Sequence, residues 1–443
     1  MKINNINKEY IDLVLSNQDY YIKDYLETLD KVAKSNAQYK GKPVPFLYHP
    51  MFWTEDDIGS FKKIAKNIMS ITNKITERFL KDEDFRKKFR YPDFLNDLIV
   101  VDNGYDINAP IGRFDIFYED YENFKFCEIN TDGSSAMNED NIIARIVKET
   151  KAYQDFSNDY EMQYFELLDS WVKESIKIYD KYDKRVENPN VAIVDFVESG
   201  TSNEFEDFKK SYIENGYNCI ITDPRELEYR DGALYKDDYR IDLIYRRIVT
   251  FELVEKIDEI DDFIQAYKDR AVCVIGSIRS QIMHNKIIFS ILLEDDTLEG
   301  LSQEEREFIK NHIPYTKNFT GDRKIYDQVL NNKDNFIMKP MDLNASQGVF
   351  VGRDMSDEKW EKKLNEVWDK DYICQEFVLP FKRDYLVYKE ENNSFTSKSL
   401  GSIVGLFLYN EKFEGVYTRV GPNNIISGLT EYYTLPNFLV KEK

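Results

Sequence analysis

The residues with the plainest chemical potential lie in residues 111–130, IGRFDIFYEDYENFKFCEIN. Two apolar-rich runs, Ile111–Tyr118 and Phe124–Asn130, flank a polar connection, which is the pattern of a β-hairpin. Arg113 and Asp115 stand two apart and project from one face of the first strand, and Glu128 and Asn130 do the same on the second. With a connection of four residues, Asp120 to Asn123, Asp115 falls opposite Glu128 and Arg113 opposite Asn130. Carboxylates directly opposed across a strand pair repel, and a cation between them removes that cost. Two carboxylates and an amide oxygen are hard donors, suited to Mg²⁺ or Mn²⁺ rather than zinc. Arg113 cannot ligate a metal, but its planar fork can hold a phosphate. The blander account is a solvated strand face with Arg113 salt-bridged to Asp115 or Glu128. A polar loop at residues 131–135, an amphipathic helical stretch behind it, and a second constellation far down the chain favour the metal and the phosphate.

That second constellation has two parts. Residues 336–339 read as a short buried strand ended by Pro340 and followed by a polar loop, with a further strand at 348–352. A lysine at the end of an apolar strand, Lys339, is costly to bury unless an anion meets it. A nucleotide phosphate would do so, with Ser346, Gln347 and Gly348 offering donors from the loop. Residues 371–378 then form an apolar strand running into Gln375-Glu376, the kind of hinge whose backbone can pair with an adenine edge.

The elements that must position these groups follow from patterning. Residues 1–100 read as mainly helical, with Ser16 or Asp19 capping a helix to about Ser35 and a break at residues 41–45. Thr54 is an N-cap, Trp53 staples onto Ile58, and Ile58, Phe61, Ile64, Ile68, Ile71, Ile75 and Phe79 form one apolar stripe. Further helix is expected from Asn138 to about Asp183, interrupted near Ser157. After the breaker Asn188-Pro189-Asn190, a strand at 191–197, a helix to Glu214 with a Thr201/Glu204 capping box, and a strand at 217–222 make a βαβ unit. Its turn lacks the glycines of a dinucleotide fingerprint. Strands at 241–245 and 271–275, separated by a helix around 253–267, end in Arg246-Arg247 and lead to Ser277 and Arg279. Strand ends of an open parallel sheet commonly line ligand crevices.

Taken together, the K-P, the polar loop ending in Gly-Val, the Y-I-C-Q-E-F-V segment and the R-x-D with E-x-N resemble the ATP-grasp fold. In most of that family the E-x-N metal ligands follow the phosphate lysine and the hinge. Here they come first, an order similar to the circularly permuted ATP-grasp group that includes glutathionylspermidine synthase. GRFDIFY followed by FCEINTD, together with IPYTK at 313–317, IYRR at 244–247, TRV at 418–420 and Ser427-Gly428, carries the resemblance across roughly residues 100–435.

The resemblance implies a mixed α/β protein: a helical region at 1–100, the metal hairpin and helices at 101–187, a Rossmann-like α/β lobe at 188–312, and the nucleotide-binding part at 313–443. It implies that Asp115, Glu128 and Asn130 hold one or two Mg²⁺ (or Mn²⁺) ions against ATP, and that Arg113 stabilises the transferring phosphoryl group. Lys317 and Lys339 would bind phosphates under the 342–348 loop, and Gln375, Glu376, Phe377 and Val378 would cradle the adenine. Arg246, Arg247, Ser277, Arg279 and Arg419 are candidates for substrate carboxylate or phosphate contacts. The implied reaction joins a small-molecule or peptide carboxylate to an amine through an acyl phosphate. An ATP-binding scaffold without turnover, or a kinase that stops at the phosphorylated product, are the competing readings. The loop has one glycine, Gly348, where relatives often have two or three. Residues 1–100 are too short for the amidase domain of some glutathionylspermidine synthases, and His49 has no cysteine nearby, so no hydrolytic activity is expected.

Composition sets the outer bounds. The chain of 443 residues, 42% hydrophobic and 14% aromatic, is long and apolar enough to bury a large core and is expected to divide into two or three lobes. Its net charge of −21 argues against a nucleic-acid partner, because binding phosphate backbones needs a basic surface. Four cysteines fall singly in apolar runs and are expected to be buried, reduced thiols. No apolar run is long enough to span a membrane and Met1-Lys2-Ile3-Asn4 opens no signal peptide, so a cytoplasmic protein is expected. The three histidines, His49, His284 and His312, are expected outside the site.

Overall fold

The computed structural model describes residues 3–39 and 41–443, so Met1 and Lys2, the start of the stretch read as opening no signal peptide, lie outside the described residues. Mixed α/β architecture is built on several sheets. The largest is antiparallel and contains the predicted hairpin, Ile111–Tyr118 and Phe124–Asn130, with the bounds read from the sequence. Its first strand pairs with Ser394–Tyr409, which in turn pairs with Lys412–Gly421 and Lys382–Lys389. Segments nearly three hundred residues apart in sequence therefore form one surface (Asp115 opposite Gly405).

The hairpin register is the expected one where it matters: Asp115 faces Glu128 and Arg113 faces Asn130. Nearer the turn the pairing shifts by one, with Ile116 opposite Phe126 and Tyr118 opposite Phe124. The connection is thus a residue longer than the four assumed, and a bulge at Cys127 restores the register. Such a bulge re-aims side chains beside it.

A second, four-stranded antiparallel sheet orders Thr316–Asn318, Tyr372–Glu376, Phe336–Pro340 and Phe350–Val351. The last strand is shorter than the expected 348–352, because Gly348 has φ +70° and Gly352 opens a 3-10 turn. A third sheet is parallel, ordered Cys273–Ile275, Leu243–Arg246, Val191–Val194, Cys219–Thr222, and contains the βαβ unit. The helix expected around 253–267 is broken into Thr250–Glu255 and Asp261–Lys268.

Elsewhere the N-terminal region is mainly helical, as expected, with differences. The helices run Ile3–Ser16 and Gln18–Ala33, and neither Ser16 nor Asp19 caps: the Ser16 hydroxyl donates back to the Leu13 carbonyl, and Asn17 stands at the N-cap. Thr54 does cap Glu55–Lys81, forming a capping box with Asp57, and the whole predicted stripe is buried. Residues 160–164, expected in a helical stretch, form the strand Tyr160–Tyr164 instead. It alternates buried and exposed residues and pairs with the C-terminal strand Asn437–Glu442. Thr201 flanks Ser202–Glu214 but makes no side-chain cap, because Glu204 is turned away to other partners.

Candidate functional site

The 111–130 hairpin, the Lys339 sheet, the Val191–Val194 strand end and the 412–421 strand surround one cavity of about 370 Å³. Arg113, Asp115, Glu128, Asn130 and Lys339 all line it, as do Ser346 and Gln347 and the whole hinge Gln375, Glu376, Phe377 and Val378. Lys339 spans the gap between its parts: its Nζ donates to the Cys127 carbonyl of the hairpin at 3.0 Å, although 212 residues separate them. Alternation explains the placing. Ile337, Lys339 and Gln375 share the face turned to the cavity, while Met338 and Cys374 point to the opposite, packed face.

That same alternation removes Lys317. It pairs with Cys374, so it sits on the packed side of the sheet and does not line the cavity. Thr316, its neighbour, faces inward and accepts a hydrogen bond from Gln375 at 2.9 Å. Gly348 supports the loop without lining the cavity. A Cβ there would lie 2.7 Å from the Tyr372 hydroxyl and 2.9 Å from Pro340 Cγ, so only glycine fits its close approach.

Asp115 is 1% exposed and held by two guanidiniums. Arg113 Nε donates to its Oδ1 at 2.8 Å and Arg419 Nη2 to its Oδ2 at 2.8 Å. The Arg113–Asp115 pair was the bland alternative from sequence, but it is buried rather than solvated. Glu128 is ionised: burial alone would raise its pKa, yet Lys286, Lys339, Arg419 and Arg113 outweigh it and hold the group at about 2. Asn130 Nδ2 is 3.5 Å from Glu128 Oε2. Two opposed carboxylates and one amide oxygen fit a hard divalent cation, with Asp115 sharing its oxygens with the arginines. No cluster of three or more His, Cys, Asp or Glu suited to a metal occurs among the described residues, so any such site depends on the Asn130 amide.

The arginines separate into two groups. Arg247 and Arg419 line the cavity, but Arg247 is committed to Glu204 at 2.8 Å and to the Tyr245 hydroxyl. Arg246 does not line it: fully buried, it binds Asp132 at 2.5 Å and the Ile248, Gly276 and Ser277 carbonyls. Arg279 donates to the Ile99 and Val101 carbonyls, and Ser277 is buried; neither reaches the cavity. Buried carbonyls and carboxylates occupy Arg246, Arg247 and Arg279, which the sequence offered to a substrate.

Four other findings escape the sequence. His284 lines the cavity, against the expectation that no histidine would, and burial keeps it neutral with a pKa near 4. Cys127 is half-buried and lines the cavity, whereas the other three cysteines are buried as expected. Glu139 and Asp195 also line it. Gly405 makes room for the acid–base clamp, since a Cβ there would stand 2.8 Å from Arg113 Cδ and 3.0 Å from Asp115 Oδ1. Only its glycine identity within an apolar strand hinted at this.

Among solved structures, a glutathione synthetase-like effector (GSS30) from Globodera pallida, in apo form, superposes with a TM-score of 0.58 at 11% identity, over 94% of this chain and 96% of that one. The fold is glutathione synthetase-like. This likeness, at so low an identity, speaks to fold and not to what is bound or joined. D-alanyl-alanine synthetase A from Vibrio cholerae O1 biovar eltor overlaps in part, with a TM-score of 0.30 and 11% identity over 57% of this chain and 89% of that one. So does the ATP-grasp ligase PsnB complexed with minimal precursor, with a TM-score of 0.25 and 10% identity over 56% of this chain and 89% of that one. No family model and no curated protein matches the sequence. No helix among the described residues is long and apolar enough to cross a membrane.

Proposed function

We propose that this protein is an ATP-dependent carboxylate–amine ligase of circularly permuted ATP-grasp type, similar to glutathionylspermidine synthase. The observation that carries the reading is the meeting of Lys339 with the Arg113/Asp115/Glu128/Asn130 hairpin around one cavity, with the 375–378 hinge on its wall. The hairpin precedes the lysine sheet in the chain yet shares the large sheet with strands from its far end, which supports the permuted order. In this reading Lys339 and the Ser346–Gln347 part of the loop bind ATP phosphates. Arg113 orients and neutralises the transferring phosphoryl group, and the hinge receives the adenine.

Asp115, Glu128 and Asn130 would hold Mg²⁺, which supplies charge neutralisation for the triphosphate. A substrate carboxylate is already ionised at neutral pH, so its phosphorylation needs positioning and positive charge rather than a base. Arg113 and Arg419, pinned by Asp115, present such charge without reorganising. Closure of the 342–348 loop would exclude water from the acyl phosphate. The supply of ATP and Mg²⁺ for such a reaction suits a cytoplasmic setting.

The test is ADP release with amino acids, short peptides and polyamines, glutathione and spermidine among them, each with and without an amine. Amine-dependent release supports the ligase, and phosphorylated product without amine makes it a kinase. ATP binding without release in any mixture leaves a scaffold. Glu128→Gln, isosteric but uncharged, is expected to abolish turnover with the fold kept by circular dichroism, and wild-type turnover in it would remove the metal assignment.

A further inference from the structure

Of the carboxyl groups lining the cavity outside the hairpin and the hinge, Asp132 is committed to Arg246, and Glu139, Asp195 and Glu252 have no part in phosphoryl transfer. A ligase of this kind must also dispose of protons, since an alkyl amine arrives as its ammonium and cannot attack in that form. Glu139 is 7% exposed on the Met137–Val147 helix, just beyond the metal hairpin's loop. The Tyr417 hydroxyl donates to its Oε2 at 2.9 Å, while its Oε1 has no hydrogen-bond partner among the described residues. The Tyr417 ring centroid lies 5.5 Å from the Arg113 guanidinium and 5.8 Å from that of Arg419, the two groups that pin Asp115. Glu139 is thus one aromatic ring away from the phosphoryl side of the cavity. Asp195 stands elsewhere, past the end of the Val191–Val194 strand, and its Oδ1 accepts the Phe196 N–H.

Resting on the ligase reading, we propose that Glu139 Oε1 receives the proton of the incoming ammonium substrate. One N–H proton passes to Glu139 and frees the nitrogen lone pair, which forms the C–N bond with the acyl carbon. The C–O bond to phosphate breaks with its electron pair on the phosphate, which takes the second N–H proton and leaves as hydrogen phosphate. Glu139 then returns its proton to solvent.

The surroundings suit that task. Burial pushes the group up to about 7, the Tyr417 hydrogen bond opposes this, Glu204 adds to it, and Arg113 and Arg419 oppose it. Tyr432 and, on its own helix, Asp140 are the other titratable groups facing it. A base with a pKa near the working pH is the efficient kind.

The experiment uses the fastest carboxylate from the ADP-release screen, with spermidine or the best alkyl amine, and separately with hydroxylamine, whose lone pair is free at neutral pH. Wild-type kcat/KM for the alkyl amine should rise with pH to about 7 and then level, as the ammonium is captured by ionised Glu139. Glu139→Gln keeps the shape and the Tyr417 hydrogen bond. It should lose roughly 10²-fold or more with the alkyl amine, should lose the plateau and rise steadily with pH, and should keep its hydroxylamine rate. Tyr417→Phe should move the plateau to higher pH, and Asp195→Asn should leave it in place. Equal loss with both nucleophiles in Glu139→Gln, or a plateau that Asp195→Asn abolishes, overturns the assignment while the ligase stands. Wild-type protein that turns over no pair overturns the ligase reading itself.

Discussion

Lys339 is 4% exposed, and among the described residues its ammonium hydrogen-bonds to the Cys127 carbonyl at 3.0 Å and the Cys127 sulfur at 3.8 Å. A buried ammonium hydrogen-bonded to one neutral oxygen, with the Glu128 carboxylate nearby, still has a donor for an anion brought beside it. Lys339→Ala is therefore expected to weaken ATP binding by roughly 10- to 100-fold, the worth of one charge-assisted contact. The melting temperature should change little, and titration calorimetry with ATP would check both. Unchanged affinity would detach the lysine from the nucleotide. At this scale, residue type was legible where chemistry leaves few alternatives. Strand alternation puts Arg113 with Asp115, and Glu128 with Asn130, on one face of each strand, and the pairing register brings the two pairs together. Lys317, Arg246 and Arg279 lie away from the cavity, which a cation's type does not tell, because it records neither the face it occupies nor the carbonyls nearby.

Glu204 shows how an element can be read correctly and its residue misread. The Ser202–Glu214 helix is where the sequence put it, but Glu204 leaves it uncapped. Instead its Oε2 accepts the N–H groups of Ala136 and Met137 at the start of another helix, while Oε1 pairs with buried Arg247. It thereby ties the βαβ unit to the helix that carries Glu139. Removing one partner of a buried ion pair leaves the other unpaired in a poor solvent for charge. Glu204→Ala should cost roughly 3–5 kcal/mol, read as a lowered midpoint in urea, and a midpoint within error of wild type would show that Arg247 finds another anion. The hairpin carries a parallel lesson. Its register at Asp115 and Glu128 was deduced from a turn one residue too short, and the bulge at Cys127 made the deduction hold at that end.

Across the whole molecule, burial has moved several acids in one direction. Burial is the chief cause holding Glu139, Asp195 and Asp342 each at about 7, well above the ordinary carboxyl range. Between about pH 4.5 and 7 the folded chain keeps protons there that the unfolded chain has released, so stability falls as pH rises through that window and levels above 7. Glu128 acts oppositely, adding stability above its unfolded pKa that is lost as pH falls towards 2. The buried histidines His49 and His284, held down to about 3 and about 4, oppose this below about pH 6.5, so the melting temperature should fall most clearly between about pH 6.5 and 8, and calorimetry across that range would show it. A flat profile from about pH 6.5 to 8 would mean that these carboxyls are ionised in the fold.

The sequence by itself determined the local facts: the hairpin and its two acidic positions, the capped Glu55–Lys81 helix, the βαβ unit, and the lysine strand with its hinge. Each depends on periodicity or capping within a few residues, which the order of side chains encodes directly. Only the tertiary structure decided that the Ile111–Tyr118 strand lies beside Ser394–Tyr409, that Lys339 reaches the hairpin, and that Arg246 is consumed by Asp132 while Arg419 clamps Asp115. Those outcomes depend on which buried donor meets which buried acceptor across the fold. That is settled by packing many segments at once, and no local pattern records it.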